Sequence, residues 1–483
     1  MTHETLAEIA ALAGAAGAAL VVLGAPQRLQ LAAGFCLLVI AEALLVVALV
    51  PRDDLERLVS TTGIAALVVG AFSVGAGTWA FVRWPSTVPV ALLLAAPFRI
   101  PVELGSQDAF LLLPLYVVLA AASLALLYRA VRGEELATVT TWLAAPAAAF
   151  IGWASVSLVW ALDPEEGAIV LLFFLFPFAS LLAVVARTPY AAWLPRALAT
   201  CLVGLAAVFA AIGLYQAWTH TLVFAQDLRV ANAYTTYFRV TSLFKDPSIY
   251  GRQLVLALAL LVVLLWLGRT RGLVAALLAG LIFAGLYFSY SQSSLVVLFA
   301  TVLVASLVLA DRLSRNVVIG IAVAMAIAGG AIAAAEVSEH GIGRASSGRT
   351  RLVSVTGHVI ANHPVAGVGI GSQPLAAKEE LDTRRRASKN ASHTTPLTVL
   401  AELGAVGFLL YVVFLGGAVR LLWEAFRRDR VFGLGLGVCF LALFLHSLFY
   451  SGFFEDPVMW GVLGVAAMVV ASEPRAVART RPS

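Results

Sequence analysis

The stretch DPEEGAIVLLFFLFPFASLLAVVAR, residues 163–187, decides the fold. Between Glu166 and Arg187 it carries no charge, and a helix that crosses a membrane needs about 20 mostly apolar residues. The run has that length. Its two ends differ: Asp163, Glu165 and Glu166 precede it and an arginine follows it. Since Lys and Arg are retained on the cytoplasmic side of a membrane, the stretch reads as a span that enters from the outside and ends in the cytoplasm.

Runs of the same kind recur along the chain. They fall near 6–24, 30–50, 60–81, 86–98, 109–128, 141–161, 168–186, 198–218, 250–267, 272–288, 294–310, 317–335, 394–419, 431–450 and 457–472, about fourteen or fifteen spans on the length criterion. The fourth and the last are short. Of the 483 residues 61% are hydrophobic and 12% charged, with a mean hydropathy of +0.95. A soluble domain could not cover its core with so little polar surface. The expected fold is all-α, a polytopic transmembrane helical protein with a large, partly helical external loop before its last three spans. The first apolar segment reads as a retained helix and not as a signal peptide.

Other classes are poorly supported. Cys36, Cys201 and Cys439 lie inside apolar runs without CxxC or Cys/His spacing, so neither a disulfide framework nor a metal site is expected. The net charge of +5 comes from basic residues scattered singly between apolar runs, which fits membrane topology and not nucleic-acid binding. No GxxxxGK[ST], HExxH or GxSxG is present, which argues against an ATP-driven pump, a zinc protease or a serine hydrolase.

Orientation follows from the arginines. One set of alternating loops carries Arg28, Arg83, Arg129, Arg132, Arg187, Arg196, Arg269, Arg271, Arg312, Arg315, Arg420, Arg427, Arg428 and Arg430, and the tail adds Arg475, Arg479 and Arg481. These ends are assigned to the cytoplasm. The loops around Asp163–Glu166, Ser289–Ser293 and Phe453–Asp456 have no Lys or Arg and face outward; Arg52, Arg57 and Arg99 blur the pattern. Two longer outer connections remain, about 219–248 and 336–392. A loop of the second kind is usually functional or disordered. It holds eight Lys/Arg against five acids, a balance suited to an anion, although Arg384–Arg386 could equally touch lipid phosphates. The chain divides into N-terminal transmembrane helices 1–218, a domain 219–472 that includes external loop 336–392, and a basic cytoplasmic tail 473–483.

Two regions carry a pattern. Arg239 is followed by SLFKDPSIYGRQL (242–254), and SGRTRLVSVTGHVIANHPVAGVGIGS (347–372) is closed by SHTTPLTVLAELGAVGFLLY (392–411). In order and spacing, Arg349, His363-Pro364, Gly367-Val368-Gly369 and His393 with Glu402, Gly404 and Gly407 resemble the O-antigen ligase and O-antigen polymerase family of bacterial integral membrane glycosyltransferases. The resemblance covers roughly 230–460. It implies glycan transfer, without metal, nucleotide sugar or other cofactor, from a polyprenyl diphosphate carrier to a glycan, lipid or protein acceptor at the outer face of the cytoplasmic (inner) membrane. The mechanism it implies is inverting: arginines bind the diphosphate and a histidine of the outer loop assists the acceptor hydroxyl. Where many members have a Ser-Arg pair, this chain reads FSYSQSSLVVL (288–298). Gln292–Ser294 thus replace the expected cation, and Arg252 or one of Arg384–Arg386 is left to substitute for it.

The residue chemistry fits these roles. Arginine binds phosphate oxygens bidentately and keeps its charge, which makes Arg239 and Arg349 the leading diphosphate ligands, with Arg252 third. Histidine, with an ordinary pKa near 6.5, suits proton removal, and His393 stands at the start of a span; alone, it would be read as a cap or turn residue. His363 is read as structural, because the residue before proline is held extended. Asp246, before Pro247, reads as a helix N-cap, and Asp456 as another cap, with orientation of His393 as its alternative role. Glu402 falls inside a span, where an ionisable group is usually paired or functional, and is expected to pair with an arginine. The rival reading is a flippase for lipid-linked glycans or another secondary transporter, but the repeated halves and midplane ionisable residues typical of transporters are not evident.

Overall fold

Three helices begin at an Asp-Pro pair, and each aspartate caps its helix. Asp163 accepts from Glu166 N at 3.2 Å, Asp246 from Ser248 N at 2.6 Å and Asp456 from Val458 N at 2.9 Å. A carboxylate satisfies otherwise unpaired N–H groups at a helix start, and proline is tolerated in the first turn because it lacks an N–H. Asp246 therefore takes the capping role expected of it.

In the computed structural model, residues 3–24, 28–50, 60–104, 107–224, 226–233, 237–309, 311–324, 327, 349–381 and 391–472 are described. The helices are α1 (His3–Leu23), α2 (Arg28–Leu49), α3 (Thr61–Arg83), α4 (Val88–Ala95), α5 (Leu113–Val131), α6 (Thr141–Val156), α7 (Pro164–Ala186), α8 (Leu194–Thr219), α9 (Gln226–Ala233), α10 (Pro247–Trp266), α11 (Gly272–Phe288) and α12 (Gln292–Leu309). After them come α13 (Arg349–Asn362), α14 (Gln373–Glu380), α15 (Thr395–Arg428), α16 (Arg430–Ser447) and α17 (Pro457–Ala471). Eleven helices among the described residues are long and apolar enough to cross a membrane, and Pro85–Ala95, Gly272–Phe288 and Pro457–Ala471 are shorter apolar helices. The architecture is an all-α, polytopic membrane fold. The expected span 317–335 lies largely outside the described residues, with helix seen over 312–324. The tail 473–483, Arg344 and Arg384–Arg386 lie outside them too.

One expected span is corrected. The run 86–98 makes only the helix Pro85–Ala95, roughly 16 Å long at about 1.5 Å per residue, half of a hydrocarbon core about 30 Å thick. The chain continues into a two-stranded antiparallel hairpin, β1 (Ile100–Leu104) and β2 (Gln107–Leu111), in register Ile100↔Leu111. Pro97 sits in the bend between α4 and β1.

The core centres on α7, whose residues Phe176–Ala186 are all buried, with α1 and α17 packed against it. A second group joins α8, α10, α11, α12 and α16, and α15 ties the two groups together through α6 and α16. At one end of the bundle, Arg28 Nη1 donates to Val131 O at 3.2 Å, Arg187 Nη2 to Gly24 O at 2.9 Å, and Arg428 to Ser472 O. The loops assigned to one side by their arginines are therefore gathered at one end.

Candidate functional site

At the opposite end, α15 is broken. Gly404 has φ 63° and ψ −167° inside this 34-residue helix, a region of backbone space essentially reserved for glycine. A break inside a membrane helix exposes backbone polar groups that must find partners. The turn that follows α13 provides them: Val368 N donates to Ala401 O at 3.0 Å, Gly369 N to Glu402 O at 2.8 Å, and Ala405 N to Pro364 O at 2.9 Å. Trp153 Nε1 adds a bond to Leu403 O at 3.0 Å. The fit is close, because a Cβ on Gly367 would lie 2.3 Å from Glu402 O and one on Gly404 2.2 Å from Val365 O. The Gly-x-Gly and Glu-x-Gly elements of the sequence thus form one interlocked unit.

Among the described residues, Glu402 pairs with no arginine. Its Oε1 accepts from Gln373 N at 3.3 Å, and Gly371 N–H also donates to its carboxylate. Among the described residues the partners of its carboxylate are backbone donors of the turn and not the expected guanidinium. Gln373 passes the order on, since its Oε1 accepts from Ser392 N at 2.7 Å and its Nε2 donates to Thr356 Oγ1 at 3.2 Å. Ser392 precedes His393, which is exposed and stands just before Thr394, the N-cap residue of α15. His393 is thereby fixed in the backbone by the same network that holds Glu402.

Arg349 is the first residue of α13. That helix docks through Val355 and Val359, and Val359 packs with Val368, Ala376 and Ala401. Arg349 therefore begins roughly 20 Å along the helix from the His363 turn, at about 1.5 Å rise per residue. His363 is exposed and has the structural role expected of it, with its N–H donating to Val359 O at 3.0 Å and its carbonyl accepting from Gly367 N at 3.2 Å.

A second constellation lies at the start of α10 and α17. Arg252 Nη2 is 2.9 Å from Asp456 Oδ2, with side-chain exposures of 9% and 2%. Asp456 is thus a cap and an ion-pair partner at once. Arg252 Nε is buried without a hydrogen-bond partner among the described residues. Beside them Glu455 keeps contact with solvent, yet the protein around it withholds enough water to raise its carboxyl above the usual range, an effect that Arg99 and Arg252 oppose. Burial also raises the Tyr450 phenol above its ordinary value. The charge of Glu455 reaches both Glu402 and Glu166, which links the two constellations.

The serine stretch that replaces the expected cation faces the same place. Ser291 Oγ is 2.8 Å from Ser294 Oγ, and Ser294 Oγ is 3.5 Å from Nε2 of the buried His446. Gly251 lies directly against Ser294, where a Cβ would come within 2.4 Å of Ser294 Oγ, so Arg252 follows immediately after that contact. Arg239 is half-buried, and its Nε donates to Ser289 O at 3.4 Å. Arg239 thus bonds one end of this serine-rich turn, and Gly251, the neighbour of Arg252, packs against the other. Among the described residues no group of three or more His, Cys, Asp or Glu is arranged to hold a metal ion.

The reading of single residues missed Arg99, Glu455, Tyr450 and Gln373. Arg99 looked like noise in the charge pattern, and the signal for it was the shortness of the preceding apolar run. Glu455 was overlooked beside Asp456 in FFEDP, although two adjacent acids in a loop without Lys or Arg mark an unusual environment.

Residues 256–412 match the O-antigen ligase family model. The O-antigen ligase match covers roughly a third of the chain and contains the serine turn, α13, His393, Glu402 and Gly404; Arg239, Arg252 and Asp456 lie outside it. The resemblance to this family is borne out over that stretch. Residues 256–412 are thus similar to an O-antigen ligase domain, and they lie in a multi-pass membrane protein. No curated protein matches it.

Proposed function

We propose that this chain transfers glycan from a polyprenyl diphosphate carrier to an acceptor hydroxyl at the outer face of the cytoplasmic membrane. The observation that carries this reading is the buried Arg252–Asp456 pair, with Arg252 Nε unpartnered among the described residues, at the same end of the bundle as the ligase-motif turn. Asp456 neutralises only part of what Arg252 offers, and a planar guanidinium with a spare donor suits a phosphate oxygen. Arg239 and Arg349 complete the proposed diphosphate set. In this reading residues 219–472 form the transfer unit and 1–218 its membrane frame.

In the proposed reaction the acceptor oxygen attacks the anomeric carbon from the face opposite the carrier. The bond from that carbon to the diphosphate oxygen breaks, both electrons leave with the diphosphate, and configuration inverts. His393 takes the acceptor proton, and the arginines hold the charge that develops on the leaving group. Glu402 and Gln373 position His393 through Ser392, and Asp456 positions Arg252. The leaving group is already activated, so the step written this way calls for no nucleotide, metal or other cofactor.

The test is purified protein mixed with a polyprenyl diphosphate oligosaccharide and candidate acceptors. His393→Ala is expected to lower transfer by about 10²- to 10⁴-fold, the usual contribution of a general base, while the exposed site leaves folding intact. Full transfer by both His393→Ala and Arg349→Ala would refute the site. Movement of the lipid-linked glycan across vesicles with no new glycosidic bond would replace the enzyme reading with a transporter.

A further inference from the structure

A crevice of about 870 Å³ lies away from the candidate site. It is lined by residues of α4, α7, α8, α10, α16 and α17, and its walls are mainly apolar, including Leu92, Leu261 and Val462. Charged groups line only one end, where Arg196 begins α8, Arg269 follows α10 and Asp429 precedes α16. This is the arginine-rich end of the bundle. Asp429 is committed as the N-cap of α16, accepting from Phe432 N at 3.0 Å. Arg196 and Arg269 are exposed, and neither guanidinium makes a hydrogen bond or ion pair among the described residues.

The depth of the crevice is informative. Along α16 it runs from Asp429 to Cys439, about 15 Å at 1.5 Å per residue, half of a hydrocarbon core of about 30 Å. It is as deep as one leaflet. Toward the candidate site it narrows to a cleft of about 10 Å³ that shares Leu93, Leu202 and Val458 and ends at Gln253, room for about one water molecule. A chain whose head sat at Arg252 could not enter from that side. The volume is large, near the top of the usual range of about 300–1,000 Å³ for ligand sites.

We propose that this crevice binds one glycerophospholipid, with its acyl chains along the apolar walls and its phosphate between Arg196 and Arg269. Guanidinium forks match phosphate oxygens, and in the bound state the chains fill apolar space that reaches the middle of the bilayer. The lipid joins the α8 side of the bundle to the α16–α17 hairpin that carries Asp456. This site is independent of the glycan-transfer reading, and its test does not use transfer activity.

Full-length protein is stripped of lipid in detergent and titrated, by native mass spectrometry, with phosphatidylglycerol, with diacylglycerol of the same chains, and with undecaprenyl phosphate. The expected result is one tightly held phosphatidylglycerol, with binding weakened about tenfold for each of Arg196→Ala and Arg269→Ala, as expected for loss of a charged hydrogen bond. Gly461 and Gly204 line the crevice, and a Cβ at either meets nothing within 4 Å. Gly461→Phe is therefore expected to exclude the lipid, with Gly204→Phe repeating the measurement if the first variant fails to fold. Equal binding of diacylglycerol, stronger binding of undecaprenyl phosphate, unchanged binding by the double arginine variant, or lipid retained by a filled crevice would each overturn the proposal.

Discussion

Replacing Asp456 by asparagine separates the two roles of this side chain. Asparagine caps a helix about as well as aspartate, so the bond to Val458 N at 2.9 Å is kept, while the charge facing Arg252 is lost. Both partners are buried, at 9% and 2% side-chain exposure, and stranding one member of a buried pair costs about 3–5 kcal/mol. Glu455 lies within electrostatic reach of Arg252 and compensates in part, which places the expected loss near the low end, about 3 kcal/mol. Asp456→Ala should cost about 1 kcal/mol more, through the missing cap. The double variant Arg252→Met/Asp456→Asn removes the stranded charge as well and should recover most of the stability, since apolar replacement of a buried pair is often neutral. Thermal unfolding of the unaltered protein, Asp456→Asn, Asp456→Ala, Arg252→Met and the double variant in one detergent measures these differences. An unchanged midpoint for Asp456→Asn, or a double variant whose loss equals the sum of the single losses, would refute a coupled pair.

Two other outcomes are expected. Gly404→Ala forces a side chain into a glycine-only backbone region and against Val365 O, 2.2 Å from the new Cβ; it should cost at least about 1–3 kcal/mol, read as a lowered midpoint, and a midpoint equal to that of the unaltered protein would remove the break from the account of α15. The Glu455 carboxyl is raised in the folded protein by desolvation, so its stabilising contribution is full below the unfolded carboxylate pKa and is lost as pH rises through the raised folded value. Glu455→Gln should therefore flatten the fall in midpoint over that window, and parallel curves for the two proteins would contradict the burial effect.

Much of the frame was legible because its causes are local. Twenty apolar residues in a row leave few alternatives to a span, Asp-Pro specifies a helix start, and arginine bias separates the two ends of the bundle. The paired glycines at 367 and 369 could be recognised as a turn, but what they serve could not, because the carbonyls they meet belong to residues more than thirty positions later. The partners of Glu402 among the described residues were hidden for a related reason. An acid inside an apolar run signals a partner without naming it, and here the partners are backbone N–H groups, which no pattern of charged residues reveals. Arg99, Arg252 and Glu455 come from three segments far apart in sequence, and their proximity is a product of packing alone.

The interlock at Gly404 also bears on how the chain is built into the bilayer. Entering alone, the segment Thr395–Arg428 would bring unpaired carbonyls at Ala401, Glu402 and Leu403 into hydrocarbon, where each costs several kcal/mol. Their partners come from the turn at 364–369 and from Trp153, so this segment can settle only after the preceding extramembrane turn has folded back upon it. Assembly of the carboxy-terminal third is thus a concerted event, and a tag or protease site inserted between His363 and Ser372 would block biogenesis and not merely catalysis.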